Sequence, residues 1–192
     1  MIAILYGFLF CAIPDSNRDS WQQPQRILDS LGIHSGMVIG EAGAGEGYFT
    51  FHLSERIGEN GKIFANDIKK SVLEDIEDRC EDENIHNIIT VLGEEKDPLF
   101  PVDTLDMVIM MLAFHDFKYQ VAWMKNVRRY MKAGAAMVII DTDPNKTGNG
   151  HDHFMTREEI LAAMQQTDFK LQTIKTFLPR DNIYIYRIQT AE

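Results

Sequence analysis

The residues with the clearest chemical meaning form a glycine-rich stretch behind a carboxylate, at positions 40–49 of the 192-residue chain. The stretch reads GEAGAGEGYF, in which Gly43, Gly45 and Gly47 alternate with other residues and Glu41 precedes them. Glycine inside a regular element costs stability, so this cluster predicts a backbone that turns sharply or approaches a ligand closely. A helix predicted to follow it would direct its unpaired N–H groups toward that ligand.

Alternating strand and helix patterns surround this glycine loop. Strands are predicted at 36–43, 62–68, 87–93, 104–112 and 135–143, with a closing antiparallel pair at 170–177 and 182–189. Helices are predicted at 25–33, 48–58, 69–83, 118–134 and 156–169. The last of these helices opens with Thr156 and Glu159, at the spacing of a capping box.

Short connections between such elements imply parallel strands joined by right-handed crossovers. The predicted fold class is therefore α/β: a Rossmann-like, doubly wound sheet of about seven mostly parallel strands, with a final antiparallel strand and helices on both faces. Ligands in this architecture bind beyond the carboxyl ends of the strands. The glycine loop follows the first predicted strand and so lies at that edge of the sheet.

The spacing of the glycines separates two classes of ligand. A dinucleotide fingerprint reads G-x-G-x-x-G, whereas this loop reads G-x-G-x-G, with Glu41 two residues before the first glycine. Four stretches in order, VIGEAGAGEGYFT, IFANDI, VLGEEKDPLF and LDMVIMMLAFHDF, resemble the cofactor-site motifs of class I S-adenosylmethionine-dependent methyltransferases. The resemblance covers about Trp21 to Ile188. Glu46 and the turn KAGA depart from the family pattern, where a small or hydroxyl residue and Pro-Gly-Gly are commoner.

The resemblance implies S-adenosylmethionine as the cofactor and assigns its contacts. The glycine loop is expected to contact the methionine part, with Glu41 near it. Asp67, at the end of the second strand, is expected to accept hydrogen bonds from both ribose hydroxyls, and Glu94 to lie near the adenine amino group. The residues alone leave a simpler interpretation open, in which Glu41 and Glu46 stabilise a helix N-terminus and Asp67 is a turn residue.

His115 and Asp116 end the fourth predicted strand, where the resemblance places the transferred methyl group and the acceptor. Methyl transfer is a single in-line displacement, so the enzyme mainly aligns the reactants and excludes water. His115 is predicted to act as a base or as an acceptor contact, with Asp116 as a second catalytic candidate. An alternative interpretation makes His115 a cap of the following helix.

The polar stretch DTDPNKTGNGHDHF after the fifth strand is predicted to be a mobile loop at the ligand end of the sheet. It supplies Asp141, Asp143, His151 and His153, whose side chains are of types that ligate metals. No pattern indicates that the four converge. The sequence therefore predicts a lid that contacts substrate, no metal, and an activity that chelators leave intact. Whether this loop binds a metal stays open: loss of activity on chelation would instead assign Asp116, Asp141, Asp143, His151 and His153 to a metal site.

Charge and motif content restrict the acceptor. The formal net charge of −10 argues against a nucleic-acid backbone as the main partner. The basic residues Lys125, Arg128, Arg129 and Lys132 fit the solvent-facing side of one predicted helix. AFHDF stands where nucleic-acid amino-methylating enzymes carry Asn/Asp-Pro-Pro-aromatic. A small-molecule acceptor is predicted; its identity, the atom methylated and the oligomeric state stay open.

The first 13 residues, MIAILYGFLFCAI, form an apolar run that is too short to span a bilayer. The run has the length of a signal-peptide core, but no basic residue precedes it and no clear cleavage site follows. The chain is predicted to comprise this N-terminal segment, 1–20, and one methyltransferase-like domain, 21–192. A cytoplasmic location is predicted, with export as the alternative. Cys11 and Cys80 are expected to be free thiols.

Two other functions compete with methyl transfer. A nicotinamide-dependent oxidoreductase would share the fold class, but the glycine spacing and the lack of a Tyr-x-x-x-Lys pair disfavour it. A non-catalytic cofactor-binding protein could share the same fold, because fold does not fix function. No residue pattern in the chain supports that second alternative.

Overall fold

A computed structural model describes residues 16–148 and 153–188. Most of the predicted N-terminal segment, including Cys11, lies outside the described residues, as does His151. Cys80 is a free thiol. Within the two described ranges, no helix is both long and apolar enough to cross a membrane.

A seven-stranded sheet forms the centre of the protein. Its strands are β1 Val38–Ala42, β2 Lys62–Asp67, β3 Ile88–Leu92, β4 Leu105–Met111, β5 Met131–Thr142, β6 Phe169–Lys175 and β7 Asp181–Ile188. They lie in the order β3-β2-β1-β4-β5-β7-β6. Neighbours pair in parallel except at β7, which is antiparallel to both β5 and β6. The predicted fold class is confirmed.

Helices connect the strands and cover both faces of the sheet. They are α1 Ser16–Gln22, α2 Pro24–Leu31, α3 Tyr48–Ile57, α4 Lys70–Asp82, α5 Gln120–Val127, α6 Pro144–Thr147 and α7 Arg157–Met164. Short 3₁₀ turns lie at Phe114–Asp116 and Arg128–Tyr130. The predicted capping box at the start of α7 is present, since Glu159 accepts the N–H of Thr156 at 2.7 Å.

The central strands are apolar throughout because each of their faces contacts a separate core. Along β5, Met137 and Ile139 belong to the cluster around Trp123. The alternating residues Val138 and Ile140 belong to the cluster on the other face. This is the period of two that a pleated strand imposes, and burial on both faces explains the continuous apolar run in the sequence.

The helix predicted over 118–134 is shorter in the structure. It ends at Val127, and β5 already begins at Met131. Gly134 is not a helix end; it has a φ of +78° inside β5, where the pairing with β4 is irregular. The prediction was wrong because the apolar spacing fits a helix locally, whereas pairing along β4 decides the actual conformation.

The basic residues of this region consequently do not share one helical face. Arg128 pairs with Asp168 at 2.9 Å, and Lys132 pairs with Asp106 at 2.8 Å. Lys132 lies in β5 rather than on a helix. These positive charges are therefore distributed among local ion pairs.

Candidate functional site

The glycine loop between β1 and α3 is hydrogen-bonded to the end of β2. The N–H groups of Gly43 and Ala44 both donate to the carbonyl of Asn66, at 2.9 and 3.0 Å. The N–H of Gly45 donates to Oδ2 of Asp67 at 3.1 Å. The loop after the first strand and the acid at the end of the second thus form one continuous unit.

The glycines of the loop have different surroundings. A Cβ at Gly43, which has a φ of +74°, would lie 2.5 Å from the Cβ of Ala113, so this glycine permits close contact with the end of β4. At Gly45, which has a φ of +54°, a Cβ would meet nothing within 4 Å. Gly47 packs against Phe51. The loop therefore borders open space at Gly45, where a ligand can reach the backbone.

Asp67 is half-buried and retains capacity to accept further hydrogen bonds. Its Oδ2 accepts the N–H of Gly45, and its Oδ1 accepts the N–H of Lys69 at 2.9 Å. Each carboxylate oxygen accepts about two hydrogen bonds, so each keeps one for an external donor. The bond from Lys69 is a turn contact, as the simpler interpretation requires. The bond from Gly45 is a contact between elements, which that interpretation does not explain.

Glu94 is exposed just after β3, and the packing of neighbouring residues brings it to the same edge as Asp67. The N–H of Gly93 donates to the carbonyl of Asp67 at 2.9 Å. A Cβ at Gly93 would lie 2.4 Å from Nδ2 of Asn66, so β3 closely approaches β2 at this point. Ile68, which follows the acid, is an apolar side chain with 54% exposure at this edge.

Glu41 lies inside β1 and is 1% exposed. Its Oε2 accepts the hydroxyl of Thr50 at 2.6 Å. Burial raises the pKa of Glu41 to about 8, although the hydrogen bond from Thr50 and the charge of Arg18 act in the opposite direction. Its hydrogen bond goes to a side chain rather than to a free helix N–H, so Glu41 does not cap α3. Glu46 is exposed.

The chain turns at the end of β4 in a way that aims His115 at β5. Leu112 has a φ of +53°, a left-handed conformation that is costly for a branched residue. The following 3₁₀ turn places Nδ1 of His115 2.7 Å from Oδ1 of Asp141, and the N–H of His115 donates to Oδ2 at 3.2 Å. The side chain therefore binds Asp141 and does not cap α5.

The His115–Asp141 pair is almost closed to solvent, with side-chain exposures of 4% and 0%. Burial alone would lower the pKa of His115, but the hydrogen bond and charge of Asp141, with the charge of Asp116, raise it above its ordinary value. Asp141 also accepts the N–H of Thr142 at 2.9 Å. Since a carboxylate only accepts, Nδ1 carries a proton, and the other ring nitrogen, Nε2, lies 3.6 Å from Oδ2 of Asp116.

Aromatic rings cover the outer side of His115. The rings of His153 and Phe154 each have centroids 4.8 Å from the centroid of His115. The pairing of His115 with Asp141 was missed from the sequence. Both residues follow neighbouring strands, and the carboxyl ends of parallel strands meet at one edge, so that signal was available.

Of the metal-ligand candidates named from the loop after β5, the described residues Asp141, Asp143 and His153 do not form one cluster. Both oxygens of Asp141 are occupied by His115. Asp143 begins α6 by accepting the N–H of Asn145, and it also accepts Nδ2 of Asn182. One ligand atom each from His115, Asp116 and His153 lie within 4.8 Å of one another instead.

Comparisons with known proteins agree with this architecture. A family model described as a methyltransferase domain matches residues 33–186. The crystal structure of a SAM dependent methyltransferase from Aquifex aeolicus superposes with a TM-score of 0.85 at 20% identity, covering 91% of this chain and 94% of that one. A geranyl diphosphate C-methyltransferase from Streptomyces coelicolor A3(2) superposes with a TM-score of 0.71 at 14% identity, covering 90% and 80%.

A demethylmenaquinone methyltransferase from Lactococcus lactis is 25% identical over 137 residues, which cover 71% of this chain and 54% of that protein. The chain thus spans about half the length of this relative. The family match extends over most of the chain, and the sheet is of the predicted fold class, with the glycine loop after its first strand. The chain belongs to the class I S-adenosylmethionine-dependent methyltransferase family.

Proposed function

We propose that this chain transfers a methyl group from S-adenosylmethionine to a small-molecule acceptor. The observation that carries the proposal is the bond from Gly45 to Asp67, because it sets a carboxylate with spare acceptor capacity beside open space. Two neighbouring ribose hydroxyls match the remaining acceptor positions of one carboxylate. S-adenosylmethionine, when bound, supplies a methyl group on a positively charged sulfur.

The charges at the site suit a cationic donor. The sulfonium and ammonium of the donor outweigh its one carboxylate, and the chain carries a net charge of −10. Glu41 lies in β1, directly before the glycine loop. The positive charge of Arg18 acts on it without a salt bridge between the two side chains. An ionised Glu41 would attract the ammonium group strongly, because the buried surroundings of Glu41 have a low effective dielectric constant.

Ile68 and Glu94 would hold the adenine. The exposed apolar side chain of Ile68 can cover a flat face of the base, which would bury apolar surface from both partners. The carboxylate of Glu94 can accept the exocyclic amino group. Together with Asp67 they form an acid-rich edge with one apolar contact, which suits a neutral purine with a ribose and no phosphate.

We assign the acceptor to the end of β4. Gly43 brings the donor loop into contact with Ala113, two residues before His115, so donor and acceptor regions adjoin. Nε2 of His115 is not used by Asp141 and would activate the nucleophilic atom of the acceptor. Asp141 holds the ring in place, Asp116 adds negative charge, and Phe154 shields the reaction from water.

A small molecule is the acceptor that the observations favour. The basic side chains Arg128, Arg129 and Lys132 each pair with a local carboxylate. Nucleic-acid binding would require such charges to be available for phosphates. The relatives named for menaquinone and ubiquinone biosynthesis also point to small organic acceptors.

Calorimetric titration with S-adenosylmethionine, S-adenosylhomocysteine and NAD tests the cofactor. We expect both adenosyl compounds to bind and NAD not to bind. Binding of NAD at micromolar levels, with no binding of either adenosyl compound, would overturn the proposal and favour an oxidoreductase.

A transfer assay tests the catalytic step. Methyl-labelled donor is incubated with the protein and a panel of small hydroxyl, amine, thiol and activated-carbon acceptors. Label should move to at least one class of acceptor. A protein that binds the donor tightly and transfers no label to any member of the panel would support the non-catalytic alternative.

A further inference from the structure

We propose that His115, Asp116 and His153 bind one divalent transition-metal ion at the acceptor side of the site. One potential ligand atom from each residue lies within 4.8 Å of the other two. Only the role of this metal in catalysis rests on the proposed function; its binding does not. The sequence had led to the opposite expectation, because the convergence of these three residues depends on the fold.

One ring nitrogen of His115 is hydrogen-bonded to a carboxylate and the other is available, as in a metal-binding histidine. Metal-bound histidines almost always donate their other ring N–H to a carboxylate or carbonyl, which fixes the ring and makes the free nitrogen a better donor. Here Nδ1 of His115 donates to the buried Asp141 at 2.7 Å. Nε2 is left to face Asp116, 3.6 Å away.

The remaining two ligands are free to close around an ion. Bonds from zinc to imidazole nitrogen are about 2.0–2.1 Å, so ligand atoms must come within roughly 3.5 Å of each other. His115 is fixed, with its side chain 4% exposed, while the side chain of Asp116 is 66% exposed. His153 is exposed as well. Binding of an ion would therefore require the side chains of Asp116 and His153 to move closer to Nε2 of His115 than the present distances, which reach 4.8 Å.

Two imidazoles and one carboxylate select the class of metal. Imidazole suits zinc, copper, iron and nickel, whereas magnesium and calcium prefer sites made of oxygen ligands. Three protein ligands also leave at least one coordination position open, as in catalytic rather than structural zinc sites. The structure therefore favours a Zn²⁺-like ion with a position for a small molecule.

The open position indicates an acceptor that carries a hydroxyl group. In the metal-bound protein Nε2 of His115 would be a ligand and not a base, and the metal ion would take over activation of the acceptor. Its coordination would lower the pKa of a bound hydroxyl, whose proton would leave to solvent. The resulting oxygen, or a carbon conjugated to it, then forms a bond with the methyl carbon. The carbon–sulfur bond of the donor breaks, and its electron pair stays on sulfur as the neutral thioether.

Cobalt titration of the tag-free, chelator-treated full chain tests the site. Co²⁺ reports its ligands through visible absorption bands. We expect one Co²⁺ per chain, with at least tenfold weaker binding in His153→Ala and Asp116→Asn. His86→Ala is the matched control, because His86 is an exposed histidine of the loop between α4 and β3. Asp141→Asn should weaken binding by about 10–100-fold without being a ligand.

Competition between metal ions then identifies the class of metal, since Zn²⁺ should displace Co²⁺ and millimolar Mg²⁺ should not.

Co²⁺ binding that is unaffected by His153→Ala, or weakened equally by His86→Ala, would overturn the proposed site. His153 is exposed, so its replacement should leave the fold intact. The His153→Ala variant therefore tests the site even if His115 variants fail to fold. Donor titration of the metal-free protein is run in parallel. Donor binding without metal binding would refute this inference and leave the proposed methyl transfer standing.

Discussion

Nδ1 of His115 lies 2.7 Å from Oδ1 of Asp141, and this contact joins the end of β4 to the end of β5 at the edge where the donor loop also lies. Both side chains are nearly inaccessible to water. A buried hydrogen bond to a charged group is among the stronger protein hydrogen bonds, and losing one partner leaves the other unsatisfied. The pair therefore fixes the ring that is proposed to face the acceptor.

The first prediction concerns this pair. His115→Ala should lower kcat by about 10²–10⁴-fold, the range typical for a positioned group that acts on a proton in the transition state. Donor affinity should stay within about threefold, because the proposed donor contacts lie on the glycine loop, β2 and β3. The measurements are turnover with an identified acceptor and calorimetric donor binding on one variant.

Melting temperature separates this role from a structural one. A histidine that only stabilises the end of β4 would, when replaced, lower the melting temperature and leave turnover within a few-fold. Asp141→Asn is the companion variant, since it keeps the shape of the side chain but removes its charge. Turnover should fall in both variants.

The second prediction is that Asp67→Ala weakens donor binding by more than about tenfold. The change removes two proposed hydrogen bonds from hydroxyls to a charged acceptor, and each such bond contributes about 1.5–3 kcal/mol. Asp75→Ala serves as the control, because Asp75 is an exposed acid on α4. An unchanged dissociation constant in folded Asp67→Ala would refute the ribose role.

The third prediction uses two glycines that both have a left-handed backbone conformation. Gly45 and Gly134 both have positive φ angles, and a Cβ at either would meet nothing within 4 Å. Alanine at each position should destabilise the fold similarly, by about 1 kcal/mol. Only Gly45→Ala should also weaken donor binding, because only its methyl group would enter the proposed donor space. Equal donor affinity in the two variants would show that the loop does not contact the donor.

The fourth prediction follows from the raised pKa of Glu41, about 8 against an ordinary value of 4.5. The folded state binds this proton more tightly than the unfolded state, so the stabilisation is complete below pH 4.5 and is lost as the pH rises to about 8. The free energy of unfolding should fall by up to about 1.4 kcal/mol per pH unit in that window. Denaturant unfolding of Glu41→Gln, which cannot titrate, should show a flatter dependence on pH.

The fifth prediction is that donor binding depends on the protonation state of Glu41. A cationic donor favours ionised Glu41, so its binding should release a proton below pH 8 and strengthen as the pH rises toward 8. Calorimetry in two buffers with different ionisation enthalpies measures the released proton. Identical binding enthalpies in the two buffers at pH 7 would contradict the prediction, and Glu41→Gln should abolish any difference.

The sequence was sufficient to predict the sheet because buried parallel strands leave a direct pattern. Residues 104–112 are nearly all apolar, and burial of β4 on both faces requires that composition. The glycine loop was equally readable, since its positive φ angles favour glycine. Local patterns failed at 118–134, where the pairing of β5 with β4 overrides a helical spacing.

The acceptor side was harder to predict because it depends on distances that local patterns do not contain. His115 and Asp141 are 26 residues apart, and their contact requires both the strand order and the relative stagger of β4 and β5. His153 lies between β5 and α7, outside any helix or strand. Its proximity to His115 is a property of tertiary structure alone.

The irregular start of β5 has a consequence for how this chain tolerates changes in length. Between the Leu105–Met131 and Met107–Ala136 pairs, β4 advances by two residues while β5 advances by five. The extra residues around Gly134 are not in regular pairing with β4. An inserted or deleted residue can therefore be accommodated there, far from the reacting groups. The same edit within 136–140 would turn Asp141 to the opposite face of the sheet. Homologous chains should therefore vary in length at the first of these segments and not at the second.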